Sequence, residues 1–350
     1  MANRIRLTKW LAASLLAVFV LGVLGCNSAS QEKVVAVQGL TMGTSFSMKW
    51  VDADESRVPS IRAEAGELLA LINQQMSTYI DTSELSVLNR AEAGVAHKVG
   101  PELFAMVQRA RQISEVSGGA FDVTVGPLVN LWGFGPEGRI THQPDTVEIE
   151  QLKSKVGYTF LHLDPAASTV LKEYDQYIDL SAIAKGYGVD QLADLLEARG
   201  IRRYLVEIGG ELRMRGVKPG GEPWRLAIEA PRAGTREVQQ VISLQQGAVA
   251  TSGDYRNYFE EDGVRYSHTI DPRTARPIRH RLVSVTVIAD NCADADAWAT
   301  ALMVMGEEQG YNFAFEQGIK AMFTSKSGDG FDSRATPGFV PYLQEPTGGL

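Results

Sequence analysis

The run Asp179-Leu180-Ser181-Ala182-Ile183-Ala184-Lys185-Gly186-Tyr187-Gly188-Val189-Asp190 constrains this chain more than any other stretch. An extended-looking segment, residues 174–180, leads into it. A helical pattern then continues to Arg199, and Gly200 stands where a C′ glycine would end the helix. Ser181 is a suitable N-cap, and the first turn would then present free N–H groups and a positive dipole end. Lys185 lies about one turn in, where its ammonium can meet an anion. Gly186 and Gly188 each cost a helix roughly 0.5–1 kcal/mol against alanine, so another group is expected to approach closely there. Two readings stay open: an anion-binding helix start, or a helix packed tightly on a sheet with Lys185 in solvent.

The first residues read as a targeting segment rather than as fold. Arg4, Arg6 and Lys9 precede an apolar run over residues 10–24, which ends Val23-Leu24-Gly25-Cys26. A small residue before cysteine resembles a bacterial lipobox, with Cys26 as the lipidated first residue of the mature chain; a plain signal peptide or short membrane anchor is the alternative. Removing residues 1–25 takes away three positive charges and no acid, so the net charge goes from −8 to −11. Each acyl CH₂ buried in a bilayer contributes roughly 0.8 kcal/mol, so several chains on Cys26 would hold the protein on a membrane. Asn27, rather than Asp, as the second mature residue points to the outer membrane of a Gram-negative cell. With Cys26 acylated, Cys292 has no disulfide partner, and the fold must stand on its core.

That core is expected to be large, because 350 residues with 44% hydrophobic content suffice for one big domain or two lobes. No basic cluster follows the first ten residues, which argues against nucleic acid as a partner. Residues 26–35 read as a lipidated tether. Residues 34–50 alternate as one or two strands interrupted at Thr41-Met42-Gly43-Thr44, and residues 60–76 and 101–116 carry helical spacing. Ser83-Glu84-Leu85-Ser86 looks like a capping-box helix start. Residues 123–145 read as a long ordered loop, 145–157 as a short helix and 158–180 as a strand pair. Strands are expected near 203–208, 211–217, 224–230 and 237–244, with a strand-loop-strand unit over 248–288. Helices at 295–305 and 306–317 and a strand at 319–324 follow, and the tail from 334 to 350 reads as extended. Helices and strands mix without steady βαβ alternation, so the fold class is α+β.

Three stretches carry chemistry. In Ala293-Asp294-Ala295-Asp296-Ala297-Trp298-Ala299-Thr300, Asp296 and Thr300 are i and i+4, so both oxygens face one way on a helix. Carboxylate and hydroxyl suit a hard cation such as Mg²⁺, although an acidic helix start matched to the dipole explains them equally. In His268-Thr269-Ile270-Asp271-Pro272-Arg273-Thr274-Ala275, a histidine beside a carboxylate can take a proton from a hydroxyl nucleophile, and the run is also a good turn. Glu207 and Glu211 flank Gly209-Gly210; a strand–turn–strand explains them more simply than a paired-carboxylate hydrolase.

Together these motifs resemble the ApbE family, the FAD:protein FMN transferases. Met42, Tyr79 and Ala120-Phe121-Asp122 match its flavin-contact segments in order, as do Ser83 to Ser86 with Asn89, residues 124–128, 207–211 and 250–256, so the resemblance spans roughly residues 36–325. Ala275 stands where the family has glycine, and Asp294 is extra to its metal motif. The resemblance implies one large domain, residues 36–333, of two α/β lobes with the active site in the cleft between them. It implies flavin contacts at Met42, Tyr79, Ala120, Phe121, Asp122, Asp179, Lys185 and Ile270, and Mg²⁺ on Asp296, Thr300 and the Ala182 carbonyl. His268 becomes the candidate base and Lys185 the charge that meets phosphate. The implied reaction cleaves FAD and passes FMN to a threonine hydroxyl, releasing AMP. Acceptors would be subunits of Na⁺-translocating NADH:quinone reductase or Rnf-type complexes at the periplasmic face. An FAD pyrophosphatase and a non-catalytic flavin-binding lipoprotein remain as alternatives.

Overall fold

The alternation at the start of the chain makes a hairpin, β1 (Lys33–Thr41) and β2 (Thr44–Asp52). Met42 and Gly43, with φ of 49° and 71°, form its two-residue turn, since positive φ at both positions matches the twist of the paired strands. The computed structural model describes residues 32–344 apart from 137, 139, 141, 233–236, 255–256 and 263. Cys26 and the apolar run before it lie outside that set. No helix among the described residues is long and apolar enough to cross a membrane.

Helices α1 (Val58–Met76) and α2 (Glu84–Arg90) follow, the latter capped by Ser83, whose hydroxyl accepts the Ser86 N–H. Then come β3 (Ala96–Lys98), α3 (Pro101–Val116), α4 (Gly126–Leu131), α5 (Thr146–Lys153), β4 (Leu161–Asp164), β5 (Thr169–Lys172) and α6 (Ala184–Ala198). Next are β6 (Tyr204–Ile208), β7 (Glu211–Arg215), β8 (Trp224–Glu229), β9 (Val238–Leu244), β10 (Gln246–Gly253), β11 (Tyr258–Glu261), β12 (Val264–Ser267), β13 (Ile270–Asp271), β14 (Arg276–Pro277) and β15 (Leu282–Ala289). The chain closes with α7 (Cys292–Met305), α8 (Glu307–Glu316), β16 (Lys320–Ser327), β17 (Gly330–Ala335) and β18 (Leu343–Gln344).

An antiparallel eight-stranded sheet, ordered β1-β2-β6-β7-β10-β15-β16-β17, organises the α+β fold. Helices α6 and α7 pack together, α6 on β6 and β7 and α7 on β10 and β15. Helix α7 is apolar nearly all round because α3 packs on it as well, leaving it no solvent face. A small sheet, β18-β9-β8, joins Trp224, Ile242 and Phe339 to Met214, Val249 and Ile288 of the large sheet in one apolar cluster.

Two expectations change. Residues 123–145 are not all loop: Val123–Val125 is a 3₁₀ turn capped by Asp122, and α4 follows with Pro127 in its first turn. The chain beyond 333 is not a free tail either. Phe339 is fully buried and Leu343–Gln344 pair with β9, so the domain runs to at least residue 344.

Candidate active site

A cavity of about 680 Å³ opens between the β7, β10 and α7 side of the large sheet and the segments around residues 120–134 and 268–272. Tyr79, Ala120, Phe121, Asp122, Asp179, Ala182, Lys185, His268, Ile270, Asp296 and Thr300 all line it. Met42 does not. As the hairpin turn residue it lies under α6, and a Cβ on Gly188 would meet its Cε at 3.1 Å.

The start of α6 differs from its sequence reading. Ser181 is not the N-cap; the helix begins at Ala184, and its cap position, Ile183, offers no side-chain hydrogen bond. Ser181 belongs instead to a turn closed by Asp179, whose Oδ1 accepts the Ser181 N–H at 2.8 Å and its hydroxyl at 2.5 Å. Gly186 donates its N–H to Asp296 Oδ2 at 3.1 Å, so α7 supplies the anion at this dipole end. Gly200, at φ 78°, ends the helix as expected. Asp190 of α6 returns the favour by accepting the Cys292 and Ala293 N–H groups of α7 at 2.9 Å. Asn291 caps α7, and Asp294 turns away to a bidentate pair with Arg109 at 2.7 and 2.9 Å.

Asp296 and Thr300 share one face of α7, and Thr300 Oγ1 lies 3.1 Å from the Ser252 hydroxyl of β10. The Gly209-Gly210 turn, with φ of 62° and 110°, brings Glu211 onto the cavity wall, where Oε1 meets Lys185 Nζ at 2.5 Å. Glu211 Oε2 is buried without a partner among the described residues. Burial disfavours the Lys185 ammonium, but the Asp296 and Glu211 carboxylates outweigh it and push its pKa up. Burial raises Glu211, with Lys185 pulling down and Asp296 adding to the rise; burial likewise raises Asp296.

His268 donates Nδ1–H to the Asn257 carbonyl at 3.0 Å, because a carbonyl only accepts; Nε2 is thereby left with its lone pair. Burial pushes the imidazole pKa below its usual value; the Asn257 carbonyl opposes this, and the Lys185 and Arg265 charges add to it. The Asp271–Arg273 turn beside it is closed by Arg273 Nε and Nη2 on the Asp271 carboxylate at 2.9 and 3.0 Å. Ala275 adopts φ 60°, the left-handed geometry that suits glycine, and its carbonyl accepts the buried Trp132 indole N–H at 3.0 Å. Alanine therefore keeps this turn at a small conformational cost. Asp122 accepts from Thr124 N–H, the Thr124 hydroxyl and Tyr158 N–H, which makes it an organiser of its own loop as well as a cavity residue.

Ser252, Asn257 and Phe134 line the cavity as well, and so does Glu211, which its sequence reading placed only as the flank of a turn. The glycine pair beside Glu211 was the available signal; Lys185, its partner, is 26 residues away in sequence. Glu207 accepts the Gly210 N–H at 3.1 Å and Glu211 is held by Lys185, an arrangement of two separately occupied carboxylates rather than a hydrolytic pair.

The donor set fits Mg²⁺. Asp296, Thr300 and the Ala182 carbonyl offer hard oxygens on one cavity, and among the described residues two buried carboxylates face the Lys185 ammonium, with one oxygen unpartnered. Among the described residues no three His, Cys, Asp or Glu side chains converge as a metal cluster, so phosphate and water oxygens would complete the shell.

Residues 42–323 match the ApbE family. A curated Vibrio cholerae FAD:protein FMN transferase is 45% identical over 92% of this chain and 96% of its own length. A Salmonella typhimurium FAD:protein FMN transferase is 38% identical over 97% and 98%. Among solved structures, the flavin transferase ApbE of Vibrio cholerae superposes with a TM-score of 0.82 at 44% identity, covering 89% of this chain and all of that one. The apo flavinyl transferase ApbE of Pseudomonas stutzeri gives 0.83 at 41% identity, over 89% and 98%.

Proposed function

The chain belongs to the ApbE family, and from that premise we infer that it is an FAD:protein FMN transferase. The observation that carries this reading is the meeting of Lys185, Asp296, Thr300 and His268 on one cavity wide enough for a dinucleotide. Phosphoryl-type transfer depends mainly on positioning and on neutralising charge. Lys185 holds a permanent ammonium toward the pyrophosphate. Asp296, Thr300 and the Ala182 carbonyl would hold Mg²⁺, which when bound neutralises and polarises phosphate oxygens. His268, neutral with Nε2 unprotonated, takes the proton of an acceptor threonine hydroxyl; the hydroxyl oxygen forms the new bond to the FMN phosphorus, and AMP departs with the bridging oxygen. Phe121, Ile270 and Tyr79 offer apolar and aromatic surface to the flavin.

Lipidation at Cys26 would anchor the enzyme to the inner or outer membrane facing the periplasm. There it would meet acceptor subunits of Na⁺-translocating NADH:quinone reductase or Rnf-type complexes. The test mixes the protein with FAD, Mg²⁺ and a threonine-bearing acceptor domain, with a chelator control. AMP release with an FMN-sized mass gain on the acceptor, both lost with chelator, is expected. AMP without the mass gain would make it a pyrophosphatase toward that acceptor, and tight FAD binding without AMP would make it a flavin carrier.

A further inference from the structure

The Lys185 ammonium lies in the field of two buried carboxylates yet pairs with one. Its Nζ is 2.5 Å from Glu211 Oε1, while Asp296, whose charge it also feels, is engaged by the Gly186 N–H. Glu211 gains this place from the β6–β7 register, in which Ile208 pairs with Glu211 across the two-glycine turn. Its side chain is only 5% exposed, and among the described residues Oε2 has no hydrogen-bond partner. A buried carboxylate with an unsatisfied oxygen is costly, and such groups in native proteins call for a functional explanation.

The explanation lies in what Lys185 would otherwise do. In the donor set inferred above, Asp296 supplies the carboxylate, beside the neutral oxygens of Thr300 and Ala182. An ammonium paired to Asp296 would cancel that charge. We propose that Glu211 is a positioning residue that holds Lys185 at the β6–β7 turn and so keeps the Asp296 carboxylate free for a divalent cation. This rests on Asp296 being the cation's carboxylate, as inferred above. Lysine and cation then occupy separate walls of the cavity, and pyrophosphate can be neutralised from both sides.

The test titrates Mn²⁺ into the purified full chain and reads free Mn²⁺ by electron paramagnetic resonance, a measure independent of turnover. Wild type is expected to bind one Mn²⁺, and Asp296→Asn to lose it. Glu211→Gln releases Lys185 toward Asp296 and is expected to raise the Kd about tenfold, the size of coupling usual between contacting groups. Glu211→Gln with Lys185→Met removes the competitor and should return the Kd to within about threefold of wild type. Recovery in the double variant also demonstrates that the fold withstands loss of Glu211. An unchanged Kd in Glu211→Gln overturns this proposal alone. Weakening that persists in the double variant overturns it too, making Glu211 a ligand or a structural residue. Wild type that binds no Mn²⁺, or binds it no better than Asp296→Asn, overturns the Asp296 site and this proposal with it.

Discussion

Gly186 donates its backbone N–H to Asp296 at 3.1 Å, a contact between two helices that meet only because residue 186 has no side chain. A Cβ there would stand 2.3 Å from the Cys292 carbonyl oxygen and 2.6 Å from its carbon. Asp190 makes the converse contact to the first N–H groups of α7, so each helix start is held by a carboxylate from the other.

Gly186→Ala is therefore expected to push α6 and α7 apart. Overpacking costs roughly 1–3 kcal/mol, and urea unfolding should place this variant at the upper end because the obstacle is backbone. Gly188→Ala meets the ends of two flexible side chains, Ile208 Cδ1 at 3.0 Å and Met42 Cε at 3.1 Å. Its helix-propensity gain of roughly 0.5–1 kcal/mol should offset most of that strain. Equal losses in the two variants would contradict this account of the glycines.

Asp296→Asn keeps an oxygen able to accept the Gly186 N–H but removes the charge. The variant should fold, with stability measured by urea unfolding changed by about 1 kcal/mol or less, while AMP release falls roughly 10²–10³-fold. A fully active variant would remove Asp296 from the chemistry.

His268 is held below pKa 6.5 chiefly by burial, so it is neutral at pH 7 and ready as a base. FMN transfer should stay level from pH 8 to about 6.5 and decline on the acid side below that, as Nε2 becomes protonated. The same depression means the unfolded chain binds more protons below about 6.5, so the residue's contribution to stability shrinks as pH falls toward the folded value. His268→Gln should slow transfer roughly 10²–10⁴-fold with FAD binding retained. An acid limb centred above pH 6.5 would argue against His268 as the base.

Lys185→Met leaves Glu211 and Asp296 buried without their counter-charge. At pH 8 it should be less stable than wild type by roughly 3 kcal/mol, the lower end for a broken buried pair because Lys185 is partly exposed. Both carboxyls already have raised pKa values, so their folded forms keep protons that the unfolded chain has released. Stability from this source falls as pH rises above the ordinary carboxylate range, and the deficit should narrow toward pH 6. Adding Glu211→Gln should recover much of the loss; denaturant titrations at the two pH values check both points.

Cys26→Ser is expected to move the protein from the membrane to the soluble fraction on cell fractionation, since the lipid chains are its proposed hold on the bilayer. Unchanged membrane retention would assign anchoring to another segment.

Local sequence settles what depends on a few neighbouring residues. The Met42-Gly43 and Gly209-Gly210 turns, the Pro101–Val116 helix and the stop at Gly200 were legible because positive φ and side-chain periodicity are local properties. The ordered motifs also brought eleven of the twelve expected flavin, metal and catalytic positions to the one cavity. Tertiary structure alone decided who serves whom. Ser181 looked like the N-cap, but Asp296, 110 residues beyond Gly186, takes the Gly186 N–H. Glu211 looked like a turn flank, but the hairpin carries it to Lys185, and Met42, expected beside the flavin, sits in a turn under α6 rather than in the cavity lining. The physical reason is common to all three: a cap, an ion pair or a packing contact is made by whichever group the folded chain brings within a few ångströms, and propensity along the sequence carries no record of that distance.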